Sequence, residues 1–259
     1  GKVVNPEAHR LVMEGRHYWN QRNAEGFRRA EAAFLKAIEL DPTFADAHAG
    51  LASVCSIRAA YSLDQSGPVF DTLLRRAQEA AERAVELAPE SAENHAVLAY
   101  ALFHRGDALS ADRGFERALS LNPNSSLALS WRSMVDLSRG QLEQALEGYR
   151  KAAELDPLWF INLHVQSEAL YFCGRYPEAL QLAERAASLR ADVFLPNLGL
   201  RATLLDLLGR QEEALRLARL IHNSSEVETR WNADVQAIEV LRRNGAQAES
   251  ESYGVELLK

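Results

Sequence analysis

The stretch Ala92–Pro123, AENHAVLAYALFHRGDALSADRGFERALSLNP, decides the fold. Its apolar residues recur at intervals of three and four, which is typical of amphipathic helices. Arg105-Gly106-Asp107 interrupts this pattern and predicts a turn between two short helices. Asn122-Pro123 ends the second helix, because a residue before proline is pushed out of the helical region. The stretch therefore predicts a helix–turn–helix unit.

The same plan returns along the chain with a fixed period. Four alanines on the second helices differ by 34 residues in each step: Ala84, Ala118, Ala152 and Ala186. The turn glycines and the closing prolines keep this spacing: Gly106, Gly140 and Gly174; Pro89, Pro123 and Pro157. A large side chain at the alanine positions would overpack the seam between paired helices. A helix–turn–helix repeat of about 34 residues resembles the tetratricopeptide repeat (TPR) family.

This resemblance covers nearly the whole chain and implies an all-α fold. The expected architecture is a right-handed α-solenoid, or superhelix, of antiparallel helix pairs, in which each repeat packs on its neighbours. We expect one array over residues 1–259, divided as repeat 1 (1–42), an extended repeat 2 (43–89), repeat 3 (90–123), repeat 4 (124–157), repeat 5 (158–191), repeat 6 (192–226) and a degenerate C-terminal capping pair (227–259). Terminal units of such arrays are often atypical because they cap the stack.

A narrower resemblance rests on Gly15–Ala52, GRHYWNQRNAEGFRRAEAAFLKAIELDPTFADAHAGLA. This segment looks like the TPR module of bacterial multidomain proteins, in which the repeats follow a winged-helix DNA-binding domain or a class III adenylate cyclase domain. The resemblance implies a non-catalytic module for protein, peptide or ligand recognition inside a larger regulatory protein. Two alternatives stay open: a stand-alone assembly scaffold, and an accessory helical domain of an enzyme whose catalytic domain lies elsewhere.

Composition narrows the classes of partner. The chain is 47% hydrophobic and 25% charged, with a net charge of −7. Proteins that bind nucleic acid usually carry clustered Lys and Arg, so we expect no nucleic-acid binding. No apolar run approaches the roughly 18 residues of a membrane span, so we expect no membrane insertion. We expect a cytoplasmic location, with the periplasm as the alternative if the parent protein carries a membrane anchor.

Chemistry-bearing motifs are missing from the sequence. It contains no nucleophile elbow, zinc-protease, phosphate-loop or dinucleotide-binding motif. No group of His, Cys, Asp and Glu has the spacing of metal ligands. The two cysteines, Cys55 and Cys173, fall among apolar residues of predicted helices, which is typical of reduced, packed thiols. We therefore expect no enzymatic activity, no cofactor and no metal, while the oligomeric state stays open.

A candidate binding surface follows from the TPR resemblance. TPR proteins line a concave groove with side chains of the first helix of each repeat, and aromatic and Arg side chains are enriched where such surfaces bind partners. The corresponding positions here are Arg16, Trp19, Asn20, Tyr100, Phe103, His104, Met134, His164, Glu168, Tyr171 and Phe172. The alternative is that the aromatic residues fill the core between repeats, because helical spacing alone does not separate core from groove.

Overall fold

The computed structural model describes residues 5–61, 67–190, 194–224 and 231–257 of the 259-residue chain. Within these ranges the chain forms fourteen α-helices and no β-strand, so the all-α prediction is confirmed. The helices are α1 Pro6–Asn20, α2 Ala24–Leu40, α3 Ala45–Ala60, α4 Pro68–Leu87, α5 Ala92–His104, α6 Ala108–Leu121, α7 Ser126–Ser138, α8 Leu142–Leu155, α9 Phe160–Phe172, α10 Tyr176–Ser188, α11 Leu195–Leu207, α12 Gln211–His222, α13 Trp231–Arg243 and α14 Gln247–Leu257.

The helices divide between two compact units, residues 1–135 and 136–259, and the division falls inside α7. In the first unit α1 packs with α2, α3 with α4, and α5 with α6. In the second, α9 packs with α10, α11 with α12, and α13 with α14. The expected repeat boundaries at residues 191/192 and 226/227 lie outside the described residues.

Small side chains form the seam between the paired helices. The four alanines with the 34-residue spacing are at most 1% exposed: Ala84, Ala118, Ala152 and Ala186. Ala111, Ala145 and Ala179, on the same second helices, are fully buried. The predicted packing positions are therefore confirmed. An alanine fills such a site without a rotamer to lose, which favours both helix formation and close approach.

The turn between α1 and α2 differs from the later ones. Each of the turns that follow α5, α7, α9, α11 and α13 places a glycine at positive φ, as at Gly106 with φ +84°. In the first turn Arg22 has φ +53°. This value lies in the left-handed region, which residues other than Gly and Asn rarely adopt. Its guanidinium carbon lies 3.7 Å from the centre of the Trp19 ring, and the residue is 3% exposed. Stacking and burial thus hold a conformation that glycine supplies elsewhere.

Buried asparagines connect successive helix pairs. Asn94 of α5 donates from Nδ2 to the carbonyl oxygen of Ala84 in α4 at 2.9 Å. Asn162 of α9 makes the same bond, 3.0 Å long, to Ala152 in α8. The two asparagines are two repeats apart, since 162 − 94 = 68. Neither was singled out from the sequence, because an isolated Asn in a helix is ordinarily a surface residue.

Replacing either asparagine with aspartate tests this connection. Asn94→Asp or Asn162→Asp keeps the shape but turns a donor into a buried charged acceptor that faces a carbonyl oxygen. We expect each change to lower the free energy of unfolding by about 3 kcal/mol or more, because an uncompensated buried charge is strongly destabilising. Urea denaturation followed by circular dichroism measures the effect. The matched control is Asn124→Asp at an exposed position, which should stay within about 0.5 kcal/mol.

Two glycines make room for one aromatic ring. A Cβ atom on Gly50 of α3 would lie 2.2 Å from Cε1 of Phe34, and one on Gly15 of α1 would lie 2.7 Å from the same atom. Phe34, on α2, is 1% exposed, so its ring has little room to move aside. Alanine in a helix gains about 1 kcal/mol over glycine, and overpacking a core costs about 1–3 kcal/mol.

We therefore expect Gly50→Ala to lower the thermal midpoint, because the clash with the Phe34 ring outweighs the gain in helix propensity. Gly254→Ala in α14 is the control, since its new Cβ would meet nothing within 4 Å. That control should be neutral or stabilising. Differential scanning calorimetry of both variants checks the contrast, and equal midpoints would contradict the packing described for Phe34.

Candidate binding site

A pocket of about 130 Å³ opens on the first unit among the first helices of the helix pairs. Three of the predicted groove residues line it: Arg16, Trp19 and Asn20, all on α1. The remaining lining residues are Phe34, Gly50, Ser53, Glu93 and Leu127. The pocket therefore brings the residues of repeat 1 together with Gly50 and Ser53 of α3 and with Glu93 of α5.

Arg16 fixes the charged rim of this pocket. Its Nη2 lies 3.1 Å from Oε1 of Glu93 and 3.5 Å from Oδ2 of Asp46. All three side chains are between one third and one half exposed. Partial loss of water contact raises the pKa of the Glu93 carboxyl, while Arg16 opposes this shift and Asp46 adds to it. The rim thus holds one guanidinium between carboxylates from two different helices.

The floor of the pocket is aromatic. The Phe34 ring reaches it from α2 because Gly15 and Gly50 have no side chains to block the path. Trp19 forms one wall, and the guanidinium of Arg22 stacks on its ring. A cation over an indole face restrains the ring and leaves less motion to lose when a partner binds. The pocket therefore combines a restrained apolar interior with a polar rim.

Tyr100 belongs to the core of the first unit and not to an exposed surface. It is 3% exposed, and its ring stacks on that of Trp131 with centroids 4.3 Å apart. Burial also raises the pKa of its hydroxyl. This corrects the groove assignment of Tyr100, because the neighbouring repeat supplies a large aromatic partner that spacing within one helix does not reveal.

Phe103, His104 and Met134 are half-buried beside this core. The His104 ring lies 4.5 Å from that of Tyr100 and 5.4 Å from that of Phe103, both edge to face. Burial lowers the pKa of His104 to about 4, so the imidazole is neutral at physiological pH. These three residues lie at the border between core and surface in the first unit.

His164 is likewise a core residue, in the second unit. It is 4% exposed and packs edge to face on Phe194, with ring centroids 5.1 Å apart. Its Nδ1 lies 3.5 Å from Nδ2 of Asn197, and its Nε2 lies 3.7 Å from Oε1 of Glu168. Burial lowers the pKa of His164, and Glu168 opposes the shift. The groove assignment of His164 is therefore corrected, while Glu168 stays half-exposed.

Tyr171 and Phe172 end α9 near the surface of the second unit. Phe172 is 62% exposed, and Tyr171 is half-buried with its ring 5.2 Å from that of Phe172. With Glu168 they are the predicted groove residues of this unit that a partner could reach.

A larger groove in the second unit was not predicted from the sequence. It has a volume of about 420 Å³ and is lined by Glu143, Leu146, Glu147, Arg150, Gln166, Leu170, Arg175, Glu178, Gln181 and Leu182. These residues come mainly from the second helices α8 and α10, whereas the prediction considered the first helices. The sequence pattern that α8 and α10 share is a polar residue one helical turn from a leucine, as at Glu143 and Leu146 and at Glu178 and Leu182.

The described residues hold no group of three or more His, Cys, Asp and Glu side chains arranged for a metal ion. Cys55 is fully buried and Cys173 partly so, and both are free thiols. Burial raises the pKa of Cys55 to about 11, so it is protonated at neutral pH. Among the helices that the structure describes, none has the length and hydrophobicity needed to cross a bilayer.

No protein-family model and no curated protein matches the chain. Solved structures do. A chain of the APC/C hetero-tetramer Cut9–Hcn1 has a TM-score of 0.64 and 16% identity over 92% of this chain and 42% of its own length. Human IFIT1, solved as a dimer with m7Gppp-AAAA, has a TM-score of 0.67 and 17% identity over 90% of this chain and 58% of its own. The present chain thus spans about half the length of these two proteins.

The thermophilic TPR protein TTC0263 of Thermus thermophilus matches over 81% of this chain and 99% of its own, with a TM-score of 0.57 and 18% identity. At such low identities the similarity shows the fold alone. Together with the helix pairs and the alanine seam, it shows that the chain has a TPR-like fold of helical repeats.

Proposed function

We propose that residues 1–135 recognise an extended peptide segment of a partner protein at the pocket between α1, α3 and α5. The observation that carries this proposal is the pocket itself, which has an aromatic floor and wall and a rim of paired charges. Interfaces concentrate their binding energy in such places, where an anchor side chain is desolvated and polar groups surround it. The chain would serve as a non-catalytic recognition or scaffold module.

The dimensions of the pocket favour one anchor side chain. A volume of about 130 Å³ is small beside typical pockets for whole small molecules, which measure roughly 300–1,000 Å³. An apolar side chain of the partner would lie against Phe34 and Trp19. Asn20, which is exposed at the rim, and Arg16 would hydrogen-bond the neighbouring peptide groups. Phe103 and Met134 would extend the surface within the same unit.

Charge argues for a protein partner and against nucleic acid. The one Arg on the rim faces two carboxylates, and the chain carries a net charge of −7. Phosphate binding needs unneutralised Lys or Arg, because released counterions supply most of the affinity. The nucleotide in the IFIT1 structure therefore has no counterpart in the chemistry of this pocket.

This charge argument predicts that the protein gives no salt-sensitive shift of duplex DNA or single-stranded RNA at micromolar concentration in a native gel. A shift that weakens steeply with added salt would show phosphate binding and contradict the argument.

The proposal also extends to the kind of larger protein in which these repeats occur. The segment Gly15–Ala52 resembles the TPR module of bacterial regulators with a winged-helix or adenylate cyclase domain, and we propose such a parent. A cytoplasmic location fits that proposal, with the periplasm as the alternative. In the second unit, Glu168, Tyr171 and Phe172 stay candidates for partner contact.

A displayed library of random peptides, selected on the immobilised protein, tests the binding site. Synthetic versions of enriched peptides are then titrated against variants by fluorescence anisotropy. Arg16→Ala and Asn20→Arg should weaken binding about tenfold or more, because each alters the rim. Both should leave the thermal midpoint nearly unchanged, since exposed ion pairs stabilise by only about 0–1 kcal/mol.

The matched control is Arg10→Ala. Arg10 lies on the same helix and pairs with Glu7 and Glu14 on the exposed surface, away from the pocket. It should leave binding unchanged. If the enriched peptides bind Arg16→Ala and Asn20→Arg as tightly as the unaltered protein, this pocket is not the peptide site.

A further inference from the structure

The groove in the second unit lies on the second helices and is distinct from the pocket proposed above. α8 and α10 each pack on α9, and the groove runs between them with α9 beneath. Its volume of about 420 Å³ is in the range of pockets that hold a ligand or an anchor side chain with its neighbours. All of its lining residues belong to residues 136–259.

The floor of the groove is apolar. Leu146 and Leu170 are 8% and 5% exposed, and Leu182 is half-buried. Such a floor suits the aliphatic stem of a long side chain, because Lys and Arg bury their methylene groups while the charged head stays near water.

Both guanidiniums of the groove already have partners. Arg150 donates to Glu147 at 2.9 Å and also bonds Glu154. Arg175 donates to Glu178 through Nε at 2.7 Å and through Nη2 at 2.5 Å. Hydrogen bonds from Arg150 and Lys151 lower the pKa of Glu147 to about 2, so this carboxylate stays ionised. These pairs leave little positive charge free to attract an anion.

Three further polar side chains line the groove outside these ion pairs: Glu143, Gln166 and Gln181. In the part of the chain that the structure describes, no hydrogen bond or ion pair joins the side chain of Glu143, Gln166 or Gln181 to another group. Arg175 is close enough to Glu143 for a charge interaction, while the Nε and Nη2 groups of its guanidinium donate to Glu178. One carboxylate and two amide oxygens are thus available as acceptors around a leucine floor.

We propose that this groove binds an arginine side chain on an extended segment of a partner protein. The guanidinium would donate to the carboxylate of Glu143 and to the amide oxygens of Gln166 and Gln181, while its stem would cover the leucines. Arginine fits better than lysine, because its planar fork offers five donors to acceptors in several directions. The acidic residues that outnumber basic ones in this half of the sequence favour a cationic partner.

The test uses two acetylated and amidated hexapeptides, Gly-Leu-Leu-Arg-Leu-Gly and the same peptide with citrulline in place of arginine. Citrulline keeps the shape and removes the charge. Isothermal titration calorimetry with the 259-residue chain measures both affinities. We expect the arginine peptide to bind about tenfold more tightly than the citrulline peptide, as for a hydrogen bond to a charged group.

Variants locate the binding. Glu143→Gln should weaken the arginine peptide about tenfold and leave the citrulline peptide unchanged. The matched control is Glu184→Gln, an exposed carboxylate on α10 outside the groove, and it should have no effect. Arg16→Ala, in the pocket of the first unit, should also leave both peptides unchanged, so failure here is separable from failure of the proposed function.

Equal affinities for the two peptides would overturn the proposal, as would an arginine preference that persists in Glu143→Gln or the absence of any binding. The groove could instead be occupied by a second copy of the chain. Light scattering of the free protein, which measures its molar mass, tests for such a dimer. A dimer that Glu143→Gln dissociates would also overturn it, because the groove would then serve self-association.

Discussion

The close approach of paired helices at their alanine positions is the constraint on which the rest of the structure depends. Ala84, Ala118, Ala152 and Ala186 are at most 1% exposed, so no larger side chain fits at these points without displacing a neighbouring helix. The close approach of the helices then limits where bulky and polar side chains can be placed. Bulky residues such as Phe34 must enter where glycine leaves space, and polar residues such as Asn94 must find partners inside the seam.

The pocket of the first unit, where we propose that a peptide binds, is a product of the same constraint. The Phe34 ring reaches the floor of this pocket, between α1 and α3, only because Gly15 and Gly50 lack side chains. The ring is part of the core and, at the same time, the floor of the pocket. The core and the proposed recognition site therefore share one residue, and the charged rim around Arg16 is the part of that site that lies outside the core.

Much of this could be predicted from the sequence, and the limits have physical causes. The sequence pattern located the turn of the central helix pair: it was expected at Arg105-Gly106-Asp107 and is found there, between α5 and α6. Spacing defines which residues share a helix face, but it does not identify the neighbour opposite that face. Tyr100 meets Trp131 and His164 meets Phe194, and each aromatic partner converts an expected groove residue into a core residue. The groove near Glu143 was missed for a related reason, since it arises between second helices that were treated only as packing elements.

The bonds of Asn94 and Asn162 have a direction along the chain. Each asparagine donates to a carbonyl oxygen ten residues before it, in the helix that precedes its own. During synthesis the acceptor carbonyl leaves the ribosome before the donor amide does, because the chain is made from its N-terminus. The helices α5 and α9 thus emerge after the helix that holds the partner of their buried asparagine. The buried side-chain amides of Asn94 and Asn162 can therefore be satisfied in the order in which the chain is translated.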